Sequence, residues 1–349
     1  MKDLNPDQVY LVQEFYEDFR EGSMSRRTFI RRLAFITGSM AATIATMSAL
    51  GCTVSELPSA SEPMPTPEPP TAADEEAPAE EAPAEEAAAE EAPAEESADT
   101  TAAELVPVPD AQSPFSVPEG DPAVSAGEVT FTSQGDEIMA YLARPVDEGV
   151  YPAILVCHEN RGLNPHIGDV ARRFAKEGYV ALAIDLLSRE GGTATHDQDE
   201  VPGLLGQPGP ERHTADFIAG AEYLKTLDFV DGERLGMTGY CFGGGVTWQV
   251  AASLPELKAA APFYGRGPDL EQVPNIQAAV LGVYAEQDER INADLPTLEP
   301  ALEEAGVTFQ INIYPGVGHA FHNDTGERYL EEQATQAWQD TLAWFAEHI

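Results

Sequence analysis

Positive charge is scarce in this 349-residue chain: 19 Lys and Arg stand against 60 Asp and Glu, for a formal net charge of −41. Binding to phosphate backbones needs clustered Lys and Arg, so this balance argues against a nucleic-acid partner. Aromatic residues are missing altogether from residues 53–104, which are almost entirely Glu, Ala, Pro, Ser and Thr with a recurring EEAPA unit between Glu75 and Glu96. That stretch holds 16 acidic residues and no basic one, hence 16 of the 41 net negative charges. Such a segment cannot bury enough apolar surface to offset its chain entropy, and it reads as a disordered, self-repelling spacer that runs to about residue 124. One globular domain remains, expected over 125–349, long enough for a full core and expected to be monomeric.

The first 52 residues differ again. Paired arginines in SRRTFIRRLAF (Ser25–Phe35) precede Leu33–Leu50, 18 residues without a charge. The arrangement resembles a twin-arginine export signal, an address read by a receptor rather than part of a fold. The alternative is a short membrane anchor, which the length just permits, although Gly38, Ser39 and many Ala and Thr leave the stretch weakly apolar. SALGC, ending at Cys52, resembles a bacterial lipoprotein cleavage site, with Ala49 where a larger aliphatic is usual. Export and membrane association, through this segment or a lipid on Cys52, are the resulting expectations; the spacer would then tether a mobile domain near a membrane. Val9, Val12, Phe15, Tyr16 and Phe19 form a helical stripe ahead of the signal whose purpose the sequence does not give.

From Gly127 onward the pattern is globular. VTFTSQG and EIMAYLARP alternate around Gln134 and Gly135, as in an antiparallel hairpin. Ala153–Cys157 is a short continuous apolar run, as in a strand buried on both faces. Helical spacing follows over His166–Glu177, and the alternation repeats: YVALAIDLL strand, His213–Lys225 helix, RLGMTGY strand, Gly243–Ser253 helix. LKAAAPFYG, AAVLGVYAE and TFQINIYPG supply further strands, with helices near Leu295–Glu304 and Glu327–Glu347. This predicts an α/β fold, a mainly parallel sheet with an antiparallel N-terminal hairpin and helices on both faces, whose chemistry gathers at the carboxyl ends of the strands.

Gly239-Tyr240-Cys241-Phe242-Gly243 fits G-x-C-x-G, a nucleophile elbow with Cys for Ser between strand and helix. Alone the motif is weak, since a small buried Cys is common in glycine-rich turns. Downstream, VYAEQDER puts Asp288 just past a buried strand, where an acid belongs, and GVGHAFHND puts His319 in a loop after the last strand, where a base belongs. Singly, Asp288 reads as well as a helix cap and His319 as an ordinary loop histidine. Their order nucleophile, acid, histidine, each at a strand end, favours the triad. A Cys241 thiolate would attack an acyl carbon, with His319 as base and Asp288 fixing the imidazole tautomer. The helix N-terminus after Cys241 is expected to lower the thiol pKa. The backbone N–H groups of Phe242 and Asn160 are the candidates for an oxyanion hole.

HENRGLNPHIGDVARRFAKEGYVALAIDLLSR, GYCFGGG, AEQDE and GVGHAFHN occur in the order seen in the dienelactone hydrolase family, which residues 125–349 resemble. The resemblance implies an α/β-hydrolase fold, a Cys-Asp-His triad and hydrolysis of enol lactones and related small esters without metal or cofactor. It also implies that Glu159 is a second base, deprotonating the resting thiol, where the residue-level reading allows a polar loop residue that only caps Asn160 and Arg161. Best-known members hold a substrate carboxylate with arginines, one of them four residues past the catalytic histidine; here that position is Asn323. Arg212 is a loose match to another such arginine, with a surface role equally open. The resemblance therefore supports ester or lactone hydrolysis, with a broad carboxylesterase or a non-catalytic tethered binding protein as alternatives. Cys157 reads as a buried structural residue, with an oxidation-sensitive pairing to Cys241 as the minor alternative.

Overall fold

A computed structural model describes residues 4–52 and 105–349. The chain begins with three helices, α1 (Pro6–Glu21), α2 (Arg26–Thr37) and α3 (Met40–Ala49). Each opens on a side-chain cap from Asn5, Ser25 or Ser39. The expected spacer core at 53–104 lies outside the described residues.

An eight-stranded sheet follows. The hairpin β1 (Val124–Ser133) and β2 (Asp136–Pro145) turns through Gln134 and Gly135. Then come β3 (Tyr151–Cys157), α4 (Pro165–Lys176), β4 (Val180–Ile184), the short α5 (Val201–Gly206), α6 (Pro210–Lys225) and β5 (Val230–Tyr240). The chain ends with α7 (Phe242–Ser253), β6 (Ala259–Phe263), β7 (Ala279–Ala285), α8 (Glu289–Asn292), α9 (Leu295–Ala305), β8 (Phe309–Tyr314) and α10 (Glu331–His348). Strand order is β1-β2-β4-β3-β5-β6-β7-β8, antiparallel at β1–β2 and β2–β4 and parallel from β4 to β8. The fold is that of an α/β-hydrolase, as expected from the strand–helix alternation.

Both faces of the sheet are covered, which is why β3, β4, β6 and β7 read as unbroken apolar runs. Gly220 of α6 faces Ile184 and Leu182, whereas Gly168 of α4 faces Tyr141, which pairs with Ala183. Alternate residues of a strand point to opposite faces, so α6 and α4 lie on opposite sides of the sheet. Phe174 of α4 and Trp338 of α10 pack with their rings tilted, 4.6 Å between centroids, closing one layer.

Two segments expected to stand apart from this fold pack against it. Residues 105–123, assigned above to the spacer, are anchored. Val108 and Val117 are buried, the Val117 N–H donates to Asp169 at 2.6 Å, and Arg172 donates to the Val117 carbonyl at 2.8 Å. The ordered domain therefore reaches back to at least Leu105, because the charged side chains of α4 need these backbone partners. The three N-terminal helices also dock. Leu11, Val12, Phe15, Phe29 and Leu33 are fully buried, and Phe19 stacks on Phe29 at 4.8 Å. This is the destination of the α1 stripe: burying a Leu or Phe contributes roughly 1.5–3 kcal/mol, which a lone amphipathic helix cannot gain. Arg31 and Arg32 bond Asp199, and a Cβ on Gly203 of α5 would sit 2.7 Å from the Phe35 Cβ. Among the described residues no helix is long and apolar enough to cross a membrane.

Candidate active site

β5 runs into α7 through Cys241, whose φ of 57° and ψ of −116° are strained for a residue with a side chain. The flanking glycines are forced by space. A Cβ on Gly239 would lie 2.2 Å from the Gly243 carbonyl oxygen, and one on Gly243 would lie 2.5 Å from that of His158. The turn thus presents Cys241 at the carboxyl edge of the sheet, beside the first turn of α7, where the Phe242 N–H has no intrahelical acceptor.

Asp288 follows β7 and His319 lies in the loop after β8. The His319 Nδ1 and the Asp288 Oδ2 are 2.5 Å apart. Asp288 Oδ1 also accepts from the Ile291 N–H at 3.4 Å, so the same carboxylate caps α8 and faces His319. Burial opposes the Asp288 charge, but His319 and Arg290 outweigh it and hold the carboxyl below its ordinary range. An ionised Asp288 accepts, so Nδ1 carries a proton in either charge state, and in the neutral ring Nε2 presents its lone pair. Burial disfavours the His319 cation as well, yet Asp288 and the Cys241 sulfur more than compensate and raise its pKa well above the usual value.

The thiol partner is a surprise of the fold. Cys241 donates to Glu14 Oε1 at 3.3 Å, and its sulfur lies 3.5 Å from the Tyr10 hydroxyl; both residues belong to α1. Asn160 Nδ2 donates to the same Glu14 oxygen at 2.6 Å. His319 Nε2 is left buried without a hydrogen-bond partner among the described residues. The expected lowering of the thiol pKa is reversed here: burial and then the Glu14 carboxylate push it up, with His319 only partly opposing them. The α7 dipole is too small a contribution to win against desolvation of a sulfur that is 3% exposed.

The remaining expected residues fall in different places. Glu159 lines the same cavity, but its Oε2 accepts from Asn323 at 2.6 Å and it makes no hydrogen bond to Cys241. Asn323, noted above for not being arginine, is thus committed to Glu159. Asn160 also faces the cavity. Arg212 is corrected: it forms a bidentate pair with Glu190 at 2.7 and 3.1 Å and does not line the cavity, because its place at the start of α6 points it at the turn after β4. The arginines that do line it are Arg32, Arg161 and Arg328. Cys157 is a buried free thiol on β3, level with Gly239, its pKa raised by burial. Cys52 is partly buried just beyond α3.

A cavity of about 610 Å³ opens onto Cys241 and His319, with α1 and α2 as one wall and the β3 and β8 loops as the other. The His319 loop is clamped from below: Asp324 is fully buried, accepts from Arg173 at 2.8 Å and from the Ser113 N–H at 3.0 Å, and lies 3.0 Å from His166 Nδ1. A second cavity, of about 410 Å³, lies between α1 and the α6–α7 face and is lined by Asp7, Tyr10, Phe242 and Arg266 among others. Tyr10 and Glu14, which sequence reasoning missed, are spaced i, i+4 on α1 and so share a face next to the apolar stripe. That spacing was the only signal, and it does not say what the face meets.

Comparison with known proteins fits this geometry. The family model of the dienelactone hydrolase family matches residues 138–349, and that of the RCD1-SRO-TAF4 (RST) plant domain matches residues 1–47, the three-helix segment. A candidate carboxymethylenebutenolidase of Salmonella typhi is 34% identical over 264 residues, covering 71% of this chain and 97% of that protein. One of Methylorubrum extorquens is 37% identical over 236 residues, covering 64% and 81%. A crystal structure of a candidate dienelactone hydrolase from Klebsiella pneumoniae superposes with a TM-score of 0.61 at 36% identity, covering 65% of this chain and all of that one. With the α/β-hydrolase sheet, the cysteine elbow and these relatives together, the chain belongs to the dienelactone hydrolase family and is a hydrolase acting on esters or lactones.

Proposed function

We propose that the protein hydrolyses lactones or small carboxylic esters through Cys241, His319 and Asp288, by way of a thioester acyl-enzyme. The observation that carries this reading is the 2.5 Å Asp288–His319 contact, which turns an unpartnered Nε2 toward the elbow cysteine. His319 takes the Cys241 proton as sulfur attacks the acyl carbon, and the carbonyl electrons move onto oxygen. The N–H groups of Phe242 and Asn160 are the proposed donors to that oxyanion; one such donor is worth about 10²–10³ in kcat. Collapse breaks the acyl–oxygen bond, and the leaving oxygen takes the proton from His319. Water, deprotonated by His319, then attacks the thioester, releasing the acid and restoring the thiol. The thiol must first turn from Glu14 to His319. Arg161, which forms no ion pair among the described residues, stands in this cavity as a partner for an anionic group on the substrate.

The test is a panel of lactones and activated esters with the full chain, Cys241→Ala and His319→Ala. Turnover by the wild type that both variants lose is expected; equal background rates in all three would sink the reading. Comparing kcat/KM on a lactone carboxylate and its neutral ester separates a dienelactone-type enzyme from a broader carboxylesterase. Export with membrane association is also part of the proposal, supported by Arg26–Arg27 ahead of the uncharged stretch and by SALGC at Cys52; processing at Cys52 would remove α1 to α3, so the docked helices and their contacts to Cys241 belong to the unprocessed chain. Cell fractionation of the wild type and of a variant with Arg26 and Arg27 both changed to Lys tests it, with retention of the double variant in the cytoplasm expected.

A further inference from the structure

Three donor groups converge at the floor of the Cys241 cavity: Cys241 Sγ, a ring nitrogen of His319 and a carboxylate oxygen of Glu14 lie within 4.8 Å of one another, and Nε2 is the nitrogen that the Asp288 contact leaves open. A thiolate, an imidazole nitrogen and a carboxylate oxygen are the ligand types that zinc-class cations take. Cys241 Sγ and Glu14 Oε1 are 3.3 Å apart. Two ligands of a tetrahedral zinc, with bonds of about 2.3 Å to sulfur and about 2.1 Å to oxygen, stand about 3.6 Å apart. That pair is therefore close to its metal-bound spacing.

The outer partners are also present. Metal-binding histidines usually give their second N–H to a carboxylate, which fixes the tautomer and ring orientation, and His319 does so with Asp288. Glu14 Oε1 is held by the Asn160 amide at 2.6 Å. His319 Nε2 and Glu14 Oε2 are both buried and without a hydrogen-bond partner among the described residues. The 610 Å³ cavity onto which all three side chains face gives an entry path.

We propose that Cys241, His319 and Glu14 form a three-ligand site for a zinc-class divalent cation, complete only while α1 is docked, with water as the fourth ligand. Binding forms a metal–sulfur bond, sends the thiol proton to solvent and changes no oxidation state. The cation would block hydrolysis rather than assist it, because it occupies both the sulfur and the imidazole lone pair. It would also fasten α1 to the catalytic face. Only this inhibitory consequence rests on the hydrolase mechanism proposed above; the site itself does not.

Cobalt(II) titration of the metal-free full chain tests the site. Wild type is expected to bind one cobalt, with thiolate-to-cobalt charge transfer in the near ultraviolet and tetrahedral d–d bands in the visible. Cys241→Ser should lose the charge-transfer band, and Glu14→Gln should bind at least ~10–100-fold more weakly, the loss that even an outer-shell change brings. Zinc should silence wild-type ester turnover reversibly, with recovery on chelation, at concentrations that do not change the rate of Glu14→Gln relative to that variant's own zinc-free rate. Absence of the charge-transfer band in wild type overturns the proposal whatever the variants do, and so does equal affinity in Glu14→Gln and wild type. A wild type that binds cobalt as described yet hydrolyses nothing would leave the site standing and remove the hydrolase reading.

Discussion

Asp7 sits in the first turn of α1, where the helix dipole favours a carboxylate, yet its pKa is pushed up from 3.8 to about 7. Burial is the main cause and Glu211 adds to it, while Arg266 opposes them. Its Oδ2 has no hydrogen-bond partner among the described residues. The nearest histidine, His213 at 3.7 Å, is itself driven by burial to about 3 and so brings no charge. The dipole is worth about 0.3–1 kcal/mol and cannot offset this. A carboxyl whose pKa is raised on docking favours the docked form below its undocked value and costs stability as pH rises toward the docked value. A shift from 3.8 to about 7, at 1.36 kcal/mol per unit, makes the full cost about 4 kcal/mol, of which about 2 kcal/mol accrues between pH 5.5 and 8. The population with α1 undocked should therefore rise about 30-fold over that interval. Asp7→Asn should remove this cost and flatten the pH dependence of α1 protection, leaving only what Glu17 contributes. Hydrogen exchange of the Tyr10–Phe15 amides, corrected for intrinsic rates, reads this out. Glu17, raised by burial against its bond to Arg290, titrates in the same direction, and the Asn variant separates the two. Protection of α1 with the same pH dependence in wild type and Asp7→Asn would refute the reasoning.

Three further predictions concern the site. Asp288→Asn should lower kcat by about 10⁴-fold with little change in KM, as loss of the tautomer-fixing carboxylate does in Ser-His-Asp enzymes; a drop below tenfold in steady-state assays would remove Asp288 from the mechanism. Glu14→Gln should move the pH midpoint of Cys241 alkylation downward, because Glu14 raises the thiol pKa; iodoacetamide labelling read peptide by peptide checks it, and an unchanged or higher midpoint contradicts it. Asp324→Asn should cost about 3 kcal/mol by leaving Arg173 and His166 short of a buried carboxylate, hence about 6–12 °C in Tm by calorimetry. Burial opposes the Asp324 charge, but His166 and Arg173 outweigh it and hold its pKa far below the ordinary value, so that stabilisation is complete above about pH 5 and fades in stronger acid, where the two proteins should converge.

The parts of this protein that were legible in its sequence are those fixed by neighbours in the chain. G-x-C-x-G names its own geometry, because Gly239 and Gly243 leave no room for a Cβ, and apolar runs such as Ala153–Cys157 carry their two-sided burial in their composition. Asp288 and His319 could be paired from the sequence because the fold fixes their order and strand-end positions, and the two side chains do meet. Glu14 could not be placed this way, since 227 residues separate it from the thiol it faces and nothing local to α1 specifies that contact. Arg212 and Glu159 show the converse difficulty: charge and position made them eligible, but Glu190 and Asn323 reached them first. The N-terminal boundary at 125 was set by composition, whereas Val117 is held through its backbone, which composition does not encode.

The grip of Asp324 on the Ser113 N–H, together with the bond from the Gln112 N–H to the Asp324 carbonyl at 3.1 Å, has a mechanical meaning. Asp324 lies five residues beyond His319, on the loop that positions the imidazole. A tensile load carried by residues 105–112 would reach that loop through these bonds. The point where the chain would be pulled and the loop that carries the proposed base are thus joined by direct hydrogen bonds from Gln112 and Ser113, which would make the attachment a strain gauge for His319.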